Sequence, residues 1–98
     1  MLEKNINRYL TIMTNLFKNE DRLLSIESAC DLLNISSKTL KTDIENINYI
    51  LREKTLEVSS NNILYLISNN NIGLKQIFKK ILKSSLMVNY FYSNTIKI

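Results

Sequence analysis

From Leu2 to Lys18 apolar side chains return every three or four residues, at Ile6, Tyr9, Leu10, Met13, Leu16 and Phe17, with polar residues between them. That period marks one face of an α-helix, so an amphipathic first helix is expected there. Asn19, Glu20 and Asp21 then end it in a short polar loop. Ser25 offers an N-cap hydroxyl for a second helix running to about Leu33, with Glu27 in the first turn, where the helix dipole favours a carboxylate. Asn34 follows where a tight turn needs left-handed dihedrals, and Ile35 is expected to plug that turn into the core. Ser36 is the next cap. Behind it Leu40, Ile44, Ile47 and Leu51 form an apolar stripe, predicting a third helix over about 36–53, while Ser37, Lys38, Lys41, Thr42 and Glu45 fall on its other sides.

The period then changes. Leu56 and Val58, the polar run Ser59 to Asn62, and Ile63 to Ile67 read as two β-prone segments around a turn, a hairpin in which Asn61-Asn62 can supply positive φ angles. Ser68 to Asn71 form a polar connector, with Asn71 as cap of a fourth helix whose buried side carries Leu74, Ile77, Phe78, Ile81, Leu82, Ser85 and Val88. The expected fold is mainly α with a small β-hairpin, a winged helix-turn-helix. Residues 1–70 would form this domain, and residues 71–98 a C-terminal basic helix that packs on it or links to a following module. Met87, Val88, Tyr90, Phe91 and Tyr92 are more apolar surface than so small a core must hide, which suits contact with another domain or subunit.

Composition narrows the function classes. At 98 residues, 45% apolar and 22% charged, the chain fits one small globular domain with little room for a buried cleft. No apolar run approaches the ~18 residues of a membrane span, and MLEKNINRYL lacks the pattern of a secretory signal, so a cytoplasmic protein without a membrane partner is expected. Histidine is absent and Cys30 is the only cysteine, which removes the commonest general base and metal ligand and any internal disulfide. Ser84 and Ser85 have no histidine to activate them, and Gly73, the only glycine, cannot build a glycine-rich phosphate loop. The expectation is a protein that is not an enzyme, without catalytic residues, cofactor or metal. Cys30, in line with Ile26, Ala29 and Leu33, reads as a packing residue.

Charge is unevenly placed. Residues 1–57 carry 8 lysines and arginines against 9 acids, a net −1, whereas residues 58–98 carry 5 lysines and no acid. Lys75, Lys79, Lys80 and Lys83 recur at spacings that bring them to nearby sides of one helix, as phosphate contacts or as a solvated lysine face.

The segment DLLNISSKTLKTDIENIN, Asp31 to Asn48, therefore reads as the turn and second helix of a helix-turn-helix. Such helices enter the DNA major groove by their amino-terminal half, which makes Ser37, Lys38, Lys41 and Thr42 the candidate base readers. Ser36 and Thr39, at the helix start, suit phosphate contact or capping. Asn61 and Asn62 could touch backbone or minor groove, or simply make a turn, and Lys75 and Lys79 are candidate phosphate contacts. Asp43 is expected in an internal salt bridge or capping bond, and Glu45 in solvent; their spacing of two puts them on different sides of the helix, so they form no acid–base pair. The expected partner is double-stranded DNA. A winged-helix module for protein–protein interaction or dimerisation is the alternative, and Tyr90, Phe91 and Tyr92 would serve it.

Laid out this way, the chain resembles the helix-turn-helix of the Mga family, bacterial virulence regulators named for M-protein trans-acting positive regulation. The resemblance runs from Leu24, Ser25 and Ile26 to KKILKSSLMVNYF at Lys79 to Phe91. DeoR-type and BglG-type regulators are similar through Leu33, Ile35, Ser36, Thr39, Leu40, Asp43 and Ile44. The stretch Lys75 to Phe91 favours the Mga-like choice, since in that family a basic helix with a similar serine-leucine element leads into a second helix-turn-helix. The resemblance implies a larger regulator, in which two DNA-binding modules precede sugar-phosphotransferase-regulated domains and a dimerising domain. Two departures are the wing turn Ser60-Asn61-Asn62, which lacks the glycine often found there, and Cys30 at the small-residue position of the second helix.

Overall fold

The computed structural model describes residues 2–67 and 73–84. The order of elements is α1 (Leu2–Lys18), β1 (Leu23–Ser25), α2 (Ile26–Leu33), α3 (Ser37–Leu51), β2 (Leu56–Val58) and β3 (Ile63–Leu66), followed by a helix over 74–84, here α4. The architecture is mainly helical with a small antiparallel sheet, a winged helix-turn-helix. Asn71 as a cap, the division of the chain at residue 70, Ser85, Val88 and the tail aromatics Tyr90, Phe91 and Tyr92 lie outside the described residues.

The helices start and stop for local reasons. Ser25 sits in extended backbone and its hydroxyl accepts from the Ser28 amide at 3.0 Å; Ser36 does the same for Thr39 at 3.1 Å. Each hydroxyl thus satisfies one of the free N–H groups of a first turn. Asn34 ends α2 in the left-handed region (φ 54°), and its neighbour Ile35 donates to the Cys30 carbonyl at 3.1 Å. The third helix stops at Leu51, two residues short of the expected Glu53, because Arg52 turns left-handed (φ 60°) and donates to the carbonyls of Asn48 and Tyr49. Arginine is not a residue that announces such a turn. At the end of α1, Arg22 donates to the Phe17 and Asn19 carbonyls, both at 2.7 Å, and its guanidinium lies 4.8 Å from the centre of the Phe17 ring. A cation is thereby placed at the negative end of the helix.

The hairpin is one part of a three-stranded sheet in the order β1-β3-β2. Leu23, Leu24 and Ser25 pair with Tyr65, Leu64 and Ile63, and Leu56 to Val58 pair with Leu66 to Leu64. The first strand is not signalled in the sequence, since three residues are too few for alternation to show. At the wing tip only Asn62 adopts positive φ (60°), not Asn61 as well. The Asn62 amide donates to the Ser59 carbonyl at 3.0 Å and the Ser59 amide to the Ile63 carbonyl at 2.8 Å, so the turn needs a single left-handed residue.

One core joins all elements. Ile6, Tyr9, Ile12, Met13 and Leu16 from α1, Ile26 and Ala29 from α2, and Leu40, Ile44, Ile47 and Leu51 from α3 are buried together with Leu56, Leu64, Ile77 and Ile81. Ile12 was absent from the stripe predicted for α1, whereas Leu10 and Phe17, assigned to that stripe, are only half-buried. On α4 the buried stripe is narrower than expected: Leu74 and Phe78 are half-buried against the core, and Leu82 is 43% exposed. Among the described residues no helix is long and apolar enough to cross a membrane.

Candidate nucleic-acid interface

Three side-chain anchors set the pose of α3. On its inner side the carboxylate of Asp43, 2% exposed, takes two hydrogen bonds from Arg8 of α1, Nε to Oδ2 at 2.7 Å and Nη2 to Oδ1 at 2.9 Å. The same carboxylate, chiefly through that hydrogen bond, raises the Arg8 guanidinium above its ordinary pKa. This is the internal salt bridge expected for Asp43. One turn on, Asn46 donates to the Tyr9 hydroxyl at 3.0 Å. Towards the carboxyl end, the Asn48 side chain spans to the start of β2: its oxygen accepts from the Thr55 and Leu56 amides at 3.0 and 2.9 Å, and its nitrogen donates to the Leu56 carbonyl at 2.9 Å.

Anchored this way, α3 turns Ser37, Lys38, Lys41, Thr42 and Glu45 to solvent. Ser36 is exposed and Thr39 half-buried; both hydroxyls are engaged in the cap, with Ser36 donating to Thr39 at 3.0 Å. Thr42, an exposed residue, donates its hydroxyl proton back to the Lys38 carbonyl at 3.1 Å, which leaves its oxygen as an acceptor. Asn61 and Asn62 are exposed at the wing tip, next to the start of α2, where Ile26 donates to the Asn62 carbonyl at 2.9 Å. Ser37, Asn61 and Asn62 line one shallow surface depression together with Glu27, Cys30 and Asp31. The wing tip and the first turn of α3 are therefore neighbours, separated by a strip bearing two carboxylates.

Lys75 and Lys79 are exposed on α4. At 100° per residue they point away from the side defined by Ile77 and Ile81, so they stand on the outer face of α4 and not beside α3. The α4 lysines that come next to α3 are Lys80 and Lys83, which share a depression with Tyr49, Ile50 and Arg52.

The profile of the M protein trans-acting positive regulator (MGA) HTH domain matches residues 3–63, more than half of the chain. The chain belongs to the Mga helix-turn-helix family. Its family is thus one of DNA-binding regulatory domains. No significant match was found among curated proteins or among solved structures.

In this Mga helix-turn-helix the matched stretch contains α1, β1, α2, α3, β2 and the wing turn. Sequence reasoning missed Asn48 and Arg8 as the residues that fix α3. Asn48 carried no signal, because an asparagine near a helix end is ordinary. Arg8 could have been paired with Asp43 only by knowing that α1 crosses α3, 35 residues away. Cys30 is a free, half-buried thiol packed against the core, and burial pushes its pKa up, with a smaller contribution from Asp31; a thiol so placed is a poor nucleophile.

The wing carries one acid beside α3, Glu57. Tyr65, its cross-strand partner, donates to it at 2.6 Å, and Lys54 pairs with it at 2.9 Å. The Tyr65 hydroxyl first, and Lys54 second, hold the Glu57 carboxyl below its ordinary pKa, while Glu57 raises the Tyr65 phenol. The contribution of Glu57 to stability is then present above the ordinary carboxylate range and lost as pH falls through the lowered value; that of Tyr65 is present below the ordinary phenol range and lost as pH rises through the raised one. In a Tyr65→Phe variant the Glu57 carboxyl should titrate at higher pH, followed by its side-chain carbonyl carbon in NMR. An unmoved titration would mean that this hydrogen bond is not formed in solution.

Proposed function

We propose that this domain is the sequence-specific DNA-binding part of a transcription regulator, inserting the amino-terminal half of α3 into the major groove. The supporting observation is the two-sided character of α3: Leu40, Ile44, Ile47 and Leu51 are buried while Lys38, Lys41 and Thr42 are exposed. In this reading Lys38 and Lys41 donate to guanine acceptors or phosphates, and the Thr42 methyl meets thymine. Ser36, Ser37 and Thr39 offer the helix start to a phosphate. Asn61 and Asn62 approach the backbone from the wing. Lys75 and Lys79, on the outer face of α4, contribute at most long-range attraction.

A single module of this kind buries only ~600–1,000 Å² on DNA, so tight binding calls for a second copy or further domains of a larger regulator. The Lys38→Ala, Lys41→Ala double variant should bind more weakly and with a shallower salt dependence, while its melting temperature is unchanged. Duplexes selected from a random-sequence pool by the unaltered chain, titrated at several salt concentrations, provide the measurement. Equal affinity and equal salt slope in the double variant would remove α3 as the reading element.

A further inference from the structure

The reading helix has a second, unassigned end. Beyond Glu45 its solvent stripe continues through Tyr49, which at 84% exposure is strongly solvated for an aromatic residue, to Arg52 at the helix cap. There the stripe runs into α4. Tyr49, Arg52, Lys80 and Lys83 line one depression with Ile50, Leu51 and Ser84, and no carboxylate is among the lining residues. The helix macrodipole accounts for part of this charge, since the end of α3 carries the equivalent of about half a negative charge. Three cations exceed that several-fold. A phenol hydroxyl and three cations lining one depression, none of the three in an ion pair among the described residues, are a donor set suited to phosphate oxygens.

Scale points the same way. From Lys38 to Arg52 the helix extends about 21 Å along its axis, whereas the major groove is about 12 Å wide. The groove curves round the duplex and a straight helix does not, so a helix of that length that reads bases with its first half carries its far end towards the groove wall, where the phosphates are.

We infer that Tyr49, Arg52, Lys80 and Lys83 form a separate clamp for the DNA phosphate backbone, which fixes how far along the groove α3 is seated. The inference rests on the proposed reading of α3. The clamp binds without regard to sequence, so it governs affinity and salt dependence, while Lys38 and Lys41 govern discrimination.

The test is fluorescence anisotropy of two labelled duplexes, one selected by the unaltered chain and one of unrelated sequence, across a salt series. The Arg52→Gln, Lys80→Gln, Lys83→Gln triple variant should lose affinity for both duplexes by the same factor, and its salt slope should fall by between about 2 and 3, close to one unit for each phosphate contact removed. All three positions are exposed, and an unchanged melting temperature will verify that the variant folds. Tyr49→Phe should give a smaller, equally sequence-independent loss. A triple variant with unchanged slope overturns the clamp and leaves the reading helix untouched. Loss in the triple variant with none in Lys38→Ala, Lys41→Ala supports the clamp and rejects α3 as reader. Failure of the unaltered chain to bind either duplex, with retention by a polyglutamate peptide that the triple variant loses, overturns the clamp in favour of an acidic protein partner.

Discussion

Replacing Arg8 with alanine is expected to destabilise the domain by about 3 kcal/mol, seen as a fall of roughly 15 °C in Tm. The cause is the carboxylate left behind. Asp43 is 2% exposed and takes both of its side-chain hydrogen bonds from Arg8, so the variant leaves an uncompensated charge inside the protein. Arg8 itself is 24% exposed, and water entering along its vacated path offsets part of the cost, which sets the figure at the lower end for a broken buried pair. The double replacement Arg8→Met, Asp43→Leu removes both charges together and should recover most of the loss. Thermal unfolding of the three proteins decides the matter: a single variant within about 1 kcal/mol of the parent would mean that the pair is solvated and does not clamp α1 to α3.

Asn48→Ala should cost about 2–3 kcal/mol, because it strips partners from two backbone amides and one carbonyl where α3 meets β2. Thr55, whose amide is one of them, is fully buried, so water cannot readily substitute. Asn48→Asp separates the contributions. A carboxylate still accepts from the Thr55 and Leu56 amides but has nothing to donate to the Leu56 carbonyl, so it should recover part of the loss at neutral pH. Urea denaturation gives the order parent, aspartate, alanine; an aspartate variant no better than alanine would assign the effect to the hydrogen bond donated to the Leu56 carbonyl and not to the two accepted from Thr55 and Leu56. The same residue ties α3 to β2, so on the proposed DNA-binding reading the alanine variant should also bind duplex DNA less well than its residual stability explains.

What the sequence disclosed was the part governed by local rules. The stripe Leu40, Ile44, Ile47, Leu51 follows from the helical period, and Ser25, Asn34 and Ser36 declare their caps because few residue types can fill those positions. The internal salt bridge or capping bond expected for Asp43 follows from the repulsion between DNA and a carboxylate that has no partner. The rest depends on contacts distant in sequence. The β1 strand exists because β3 lends it an edge, Asn48 matters because β2 returns beneath it, and Leu82 is exposed because α4 offers the core only the stripe around Ile77 and Ile81. The end of α3 was misplaced because Arg52 adopts the left-handed turn in a chain whose only glycine is elsewhere. For the candidate interface, the exposed residues of α3 were legible from periodicity; that Lys80 and Lys83, and not Lys75 and Lys79, neighbour it was not.

The order β1-β3-β2 bears on how this molecule can be dissected. The family match closes at residue 63, the first residue of the central strand. A fragment trimmed to that boundary would strand both outer ribbons without their common mate and would discard Leu64, Ile77 and Ile81, all wholly sequestered from water. A fragment meant to keep this core should accordingly run past the homologous stretch and retain α4, and expression clones or domain swaps between relatives should be cut beyond it.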